Sequence, residues 1–245
     1  MKISVQLYTL RTLLEKDLWG TLDKLSSEGF RNVELAGLYG HTPEEFRMGL
    51  SERGLKAHSM HVGLDQAKGH LDQTVQEAHT IGLEFVVVPW LDPKSFDGGW
   101  KEIAETLGGL AQDYKQNDLK LGYHNHAFEF EQTGGKTGFE VLWESAGPDL
   151  HAEVDLFWVK RGGGNPVDWL HRLAKQCDQA HFKDMDADGE FTEVGSGSLD
   201  WDAIIRAGKE MGLRYAIIEN DQPKIDPLES VAKSRKFLLG KGLTD

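Results

Sequence analysis

Short apolar runs rich in β-branched and aromatic residues recur along the chain, separated by longer stretches in which apolar positions return every three or four residues. The first pattern predicts strands, and the second predicts helices that cover a sheet. Eight runs fit the strand pattern: Ile3–Leu7, Asn32–Leu35, Lys56–His61, Phe85–Pro89, Leu119–His124, His151–Phe157, Gln179–Lys183 and Tyr215–Glu219. Their starts lie roughly 24 to 36 residues apart, enough for one strand, one helix and two short loops. The expected fold class is α/β, a (β/α)8 TIM barrel.

The intervening segments carry helix signals. Thr12–Ser27 places Leu13, Leu14, Leu18, Leu22 and Leu25 on one face and stops before Gly29. Thr42-Pro43-Glu44-Glu45 combines a capping hydroxyl, a proline at the first helical position and acidic residues in the first turn. Asp65–Ile81, Trp100–Asn117, Pro166–Cys177, Asp200–Met211 and Pro227–Leu239 fill the other gaps, with a short segment at Thr137–Ser145. No Pro/Ser-rich linker or charge block interrupts the series, so residues 1–245 are expected to form a single domain. Gly162-Gly163-Gly164 and Gly195-Ser196-Gly197 follow strand runs and predict loops at one end of the barrel. No Gly-Lys-Ser/Thr follows the glycine triplet, which weighs against a nucleotide phosphate loop.

The charge balance narrows the partners. Among 245 residues, 27 Lys and Arg stand against 40 Asp and Glu, for a formal net charge of −13. A partner held by its phosphates is disfavoured, because nucleic-acid affinity comes largely from basic side chains that displace counterions. Expected partners therefore exclude nucleic acid. They also exclude membrane, since no run approaches the roughly 18 apolar residues of a span. MKISVQLYTL lacks the long apolar core of a signal peptide, and the one cysteine, Cys177, cannot form an intrachain disulfide, so a cytoplasmic location is expected.

Candidate chemistry gathers at strand ends, where a barrel of this kind places its active site. Four runs finish in polar clusters: Tyr123-His124-Asn125-His126 followed by Glu129, then Asp155, then His181-Phe182-Lys183-Asp184, then Glu219-Asn220-Asp221. Any one of these could simply cap a strand, but four together predict a metal site. Imidazole nitrogens and carboxylate oxygens without thiolates suit a catalytic cation rather than structural zinc. His61, Trp90 and Trp158 are candidates for a sugar-binding wall, because aromatic faces pack on sugar C–H surfaces.

The run Gly29-Phe30-Arg31-Asn32-Val33-Glu34-Leu35 is joined by Leu121-Gly122-Tyr123-His124-Asn125-His126-Ala127-Phe128-Glu129-Phe130, Asp155-Leu156-Phe157-Trp158-Val159, His181-Phe182-Lys183-Asp184-Met185 and Glu193-Val194-Gly195-Ser196-Gly197. Together they resemble the xylose-isomerase-like sugar phosphate isomerase/epimerase superfamily. The resemblance implies one divalent metal ion, Mn²⁺ ahead of Zn²⁺, Co²⁺, Mg²⁺ or Fe²⁺, held by Asp155, His181 and Glu219 at the ends of strands six, seven and eight. Strand five departs from the common pattern, with His124 where sugar epimerases usually carry a glutamate. Tyr123-His124-Asn125-His126 is instead typical of a branch resembling inosose dehydratases and enzymes acting on keto-sugars and 3-keto-glycosides.

Two assignments follow for strand five. His124 is the favoured fourth ligand; in the other, the chain bends after Asn125 and Glu129 reaches the metal. The expected reaction abstracts a proton next to the carbonyl of a sugar or keto-sugar, with Glu219, Glu129, His126 and Lys183 as candidate catalytic groups. Returning the proton gives epimerisation or isomerisation, and losing a β-oxygen gives lyase or dehydratase chemistry. An abasic-site endonuclease is disfavoured by Trp158, which stands where such enzymes carry a further histidine, and by the negative charge. A metal-free carbohydrate-binding barrel is the remaining reading. The expected partner is a small carbohydrate, with homo-oligomerisation left open.

Overall fold

The computed structural model describes residues 1–245, the side chain of Thr133 excepted. Its strands are β1 (Lys2–Gln6), β2 (Asn32–Leu35), β3 (Lys56–His61), β4 (Phe85–Val88), β5 (Lys120–His124), β6 (His151–Asp155), β7 (Gln179–Phe182) and β8 (Tyr215–Ile218). Each pairs in parallel with the next, and β8 closes on β1 through Lys2–Tyr215 to Val5–Ile218. This is the expected eight-stranded barrel. Two short antiparallel ribbons, Gln132–Thr133 with Lys136–Thr137 and Asp184–Met185 with Phe191–Thr192, rise from the loops.

Strand alternation separates two environments. Outward residues such as Ile3, Val5, Val33, Val86, Leu121 and Val154 meet Leu22, Leu25, Phe46, Ile103, Leu107 and Leu142 of the helices in one large buried core. Inside the barrel, Phe85, Val87, Tyr215 and Ile217 form a separate small apolar cluster. No described helix is long and apolar enough to cross a membrane.

Local chemistry explains where three expected elements end differently. The helix expected over Thr12–Ser27 is broken into Arg11–Leu14 and Leu18–Ser27, because Asp17 leaves helical geometry and accepts from the Gly20 amide at 3.0 Å. The one expected over Asp65–Ile81 breaks at His70, with φ −130° and ψ 43°. Strand six ends at Asp155, and Leu156–Arg161 is a short helix whose first turn is capped by that carboxylate, Trp158 N donating at 2.9 Å. The Thr42–Glu45 capping box forms as its residues suggest.

Glycines shape the loops above the barrel. A side chain at Gly162 would strike Phe130 with its Cβ at 2.6 Å, so the glycine triplet is a close-packed turn. Gly195 has φ +86°, and its amide and that of Gly197 donate to Asp184 Oδ2 at 2.9 and 3.0 Å. Leu199 N and Trp201 Nε1 also donate to the same carboxylate, which rivets the loop after β7.

Candidate metal centre and cavity

The strand register brings the predicted ligands together. His124 lies beside Glu153, and Asp155 beside His181, with Glu219 one residue beyond the pair Ile218–Phe182. Ligand-capable atoms of His124, Asp155, His181 and Glu219 all lie within 4.8 Å of one another, and all four residues are buried. His124 Nε2 is 3.6 Å from Asp155 Oδ2, and His181 Nδ1 is 2.8 Å from Glu219 Oε2. Two imidazoles and two carboxylates at this spacing fit a divalent cation of borderline softness. Asp155 Oδ2 strengthens the fit, because it is buried without a hydrogen-bond partner.

Lys183 is the nearest cation to these oxygens. Its Nζ sits 2.6 Å from Glu219 Oε2, 2.9 Å from Asp155 Oδ2 and 3.1 Å from Asp221 Oδ2, with the side chain only 2% exposed. The 2.9 Å approach to Asp155 is an ion pair outside hydrogen-bond geometry. Its neighbour Asp184 and the nearby Glu153 are occupied elsewhere, Asp184 by the loop amides and Glu153 by histidines. Burial opposes the Lys183 charge, but Asp155, Glu219 and Asp221 outweigh it and raise its pKa well above the ordinary lysine value. Burial likewise opposes ionisation of Glu219, and Lys183 and His181 overcome it, holding that carboxyl well below its usual range. For Asp155, burial dominates and pushes the pKa up to about 6.

Beneath this group lies a layer that sequence reasoning missed as functional. Glu34 and Glu153 are fully buried inside the barrel. Glu34 accepts from Gln6 Nε2 at 2.8 Å and from Ser59 Oγ, and faces His181 Nε2 at 2.7 Å. Glu153 accepts from Gln179 Nε2 at 2.6 Å and faces His61 Nε2 at 2.8 Å and His124 Nδ1 at 3.1 Å. Period-two spacing was the available signal, since Glu153 shares a face with Asp155 two residues on. Burial disfavours charge on His61, but Glu34 and Glu153 outweigh it and push its pKa up to about 10.

The catalytic candidates separate in space. The strand ends at His124, and Glu129 folds back in a short turn, accepting from Tyr123 OH at 2.8 Å and from His126 N at 2.9 Å. The structure does not bring Glu129 into the ligand group. Burial pushes its carboxyl up to about 7. His126 faces the cavity with Nδ1 buried and unpartnered, its ring 5.4 Å from that of Trp158. Burial and Lys183 lower its pKa to about 4, which keeps the imidazole neutral at neutral pH.

A cavity of about 510 Å³ opens above these groups. His61, His124, His126, Lys183 and Glu219 form its floor, while Tyr8, Arg11, Trp90 and Asp221 line its mouth. Trp90 is 54% exposed where it lines the cavity. Trp158 stands behind His126 and packs on Phe157 and Phe191 rather than lining the cavity. Arg11 stacks 4.1 Å above the Tyr8 ring and donates to Asp221 O at 2.9 Å. Cys177 is buried and does not line the cavity, its thiol pushed up to about 12 by burial.

Comparison with known proteins agrees with this architecture. The family model described as xylose isomerase-like TIM barrel matches residues 22–240. An inosose dehydratase of Geobacillus kaustophilus is 24% identical over 266 aligned positions, covering 90% of this chain and 85% of that protein. Among solved structures, a sugar phosphate isomerase/epimerase from Parabacteroides distasonis superposes with a TM-score of 0.86 at 19% identity, covering 97% of each chain. The IolI protein, whose crystal structure has a binding zinc atom, superposes with a TM-score of 0.75 at 17% identity, covering 98% of this chain and 97% of that one.

Proposed function

The chain belongs to the xylose isomerase-like TIM barrel family, and from that premise we propose that it is a keto-sugar lyase or dehydratase. In this reading it removes a proton next to a carbonyl and expels an oxygen from the following carbon. The similarity to an inosose dehydratase supports a small carbohydrate substrate and this class of reaction. The observation that carries the reading is the unlike pair at the cavity floor, the neutral His126 imidazole and the buried Lys183 ammonium.

Elimination moves its two protons to and from different atoms. His126 takes the proton, and the C–H electron pair becomes the new double bond. The C–O bond on the next carbon breaks, and Lys183 supplies a hydrogen bond and a proton to the departing oxygen. Epimerisation and isomerisation share the first step and differ in returning the proton to carbon rather than expelling the oxygen. Glu219, tied to Lys183 and His181, orients both. Glu129 holds the loop that carries His126.

His124, Asp155, His181 and Glu219 would hold the divalent cation. When bound, it supplies Lewis acidity that makes a proton beside the substrate carbonyl removable. Mn²⁺ is our first choice from the hard oxygen donors, with Zn²⁺ supported by the neighbour that binds it. The exposed Trp90 suits a sugar ring, with His61 below it.

Deuterium exchange tests this function. The protein is incubated in deuterium oxide with an inosose, a ketohexose and a 3-keto-glycoside, before and after chelation. We expect deuterium at the carbon next to the carbonyl and an unsaturated or cleaved product, both lost on chelation and restored by metal. Exchange without elimination would reassign the protein as an epimerase or isomerase, and no exchange across the panel would remove proton abstraction altogether.

A further inference from the structure

We infer that Glu153 is a positioning residue that, with Glu34, dictates which ring nitrogens of His124 and His181 face the metal-binding group. This rests on the ligand assignment above and extends it to a layer of side chains that cannot touch substrate. Glu153 is fully buried, and its Oε1 is fixed by Gln179 Nε2 at 2.6 Å. The other oxygen receives three imidazoles at once: His61 Nε2 at 2.8 Å, His124 Nδ1 at 3.1 Å and His181 Nε2 at 3.1 Å.

An ionised carboxylate only accepts, so each nitrogen aimed at it must carry its proton. His124 therefore presents N–H at Nδ1 and leaves the lone pair of Nε2 toward Asp155 Oδ2, 3.6 Å away. His181 is turned the other way. Its Nε2–H points to Glu34 Oε1 at 2.7 Å with Glu153 Oε2 3.1 Å away, so Nδ1, which faces Glu219 at 2.8 Å, is the nitrogen that would give up its proton when metal binds. The two rings thus offer opposite nitrogens to one point. His61 Nε2, 2.8 Å from Glu153 and 3.2 Å from Glu34, braces the two carboxylates against each other. Outer-layer carboxylates of this kind fix ring orientation and raise ligand basicity.

A competing use of the same atoms is a second metal. Ligand-capable atoms of His61, His124, Glu153 and His181 also lie within 4.8 Å of one another. Protons on the inner nitrogens oppose that use, because a metal there would have to displace them. Positioning and ligation by Glu153 therefore predict different stoichiometries.

The test titrates wild type, His124→Ala and Glu153→Gln with Mn²⁺ and Zn²⁺ against a chromophoric chelator. Nitrogen NMR of isotopically labelled histidines in the metal-free proteins reports the tautomers. We expect a single metal per chain in wild type, and in Glu153→Gln a single metal held about 10- to 100-fold more weakly. The His124 resonance should move away from the Nδ1–H tautomer in that variant, a change that a merely structural role would not produce. Wild-type affinity and tautomer in Glu153→Gln, with metal lost in His124→Ala, would overturn the positioning role and leave the ligand assignment standing. Two metals in wild type falling to one in Glu153→Gln would make Glu153 a ligand and overturn it differently. A wild type that binds no metal overturns both readings. Should Glu153→Gln fail to fold, Glu153→Asp keeps the charge but withdraws the carboxylate by one methylene. It should show the same two changes, and unchanged affinity and tautomer would overturn the inference.

Discussion

On the outer side of the eight strands, leucine, isoleucine, valine and phenylalanine pack beneath the helices without interruption. On the inner side, four apolar residues plug the lower barrel, and above them stand Glu34, Glu153, Asp155 and Glu219 among His61, His124, His181 and Lys183. The outer side gains free energy by removing apolar area from water. The inner side sets the cost of desolvating charges against their mutual attraction, a balance that is often near zero or unfavourable. Stability is therefore concentrated in the shell, and the lumen is free to be shaped by chemistry.

The largest effect that would sharpen this division is on turnover. His126→Ala should lower kcat about 100- to 10,000-fold, the usual worth of a positioned base, while leaving metal content and unfolding temperature near wild type. A loss of folding in place of activity would break the division at its most important point. Next comes the shell. Leu121 is fully buried on the outward face of β5, next in sequence to the inward Gly122. Leu121→Ala should cost about 2–5 kcal/mol in urea unfolding with unchanged metal affinity.

The smallest effect concerns the lower lumen. His58 donates to or accepts from Ser4 Oγ at 2.8 Å and stacks on Tyr215 at 3.9 Å. Burial lowers its pKa to about 4. The folded state therefore keeps it neutral where the unfolded state begins to protonate. Its contribution is fully present above about pH 6.5 and is lost as pH falls toward about 4. His58→Gln should flatten that part of the acid limb in pH-dependent denaturation. An unchanged limb would show that the lower lumen does not hold this histidine neutral.

The same contrast explains what could be read from sequence. Strand positions were legible because both faces of β4 and β8 are apolar at their lower ends and the strand runs are short. The ligand group was legible because His124, Asp155, His181 and Glu219 stand at or within two residues of the ends of four of those runs. Breaks at Asp17 and His70 were hidden, since Leu13, Leu14 and Leu18 continue an apolar stripe across the first and local polarity does not mark the second. Strand six was read too far because Leu156, Phe157 and Val159 suit strand and buried helix alike. The contact of Glu34 with His181 spans 147 residues and exists only once the barrel closes, so no local pattern could reveal it.

Asp155 also has a consequence in time. One of its oxygens receives the Trp158 amide three residues on, whereas the other faces His181 of β7 and Lys183 just beyond it. Contacts near in sequence close with little entropy cost, and those to later strands wait for the barrel to form. The turn at Asp155 can therefore aim its free oxygen before His181 and Glu219 arrive. Assembly of the metal group then becomes a late event that meets a carboxylate already in place, and an incomplete barrel presents metal with scattered donors rather than a finished set.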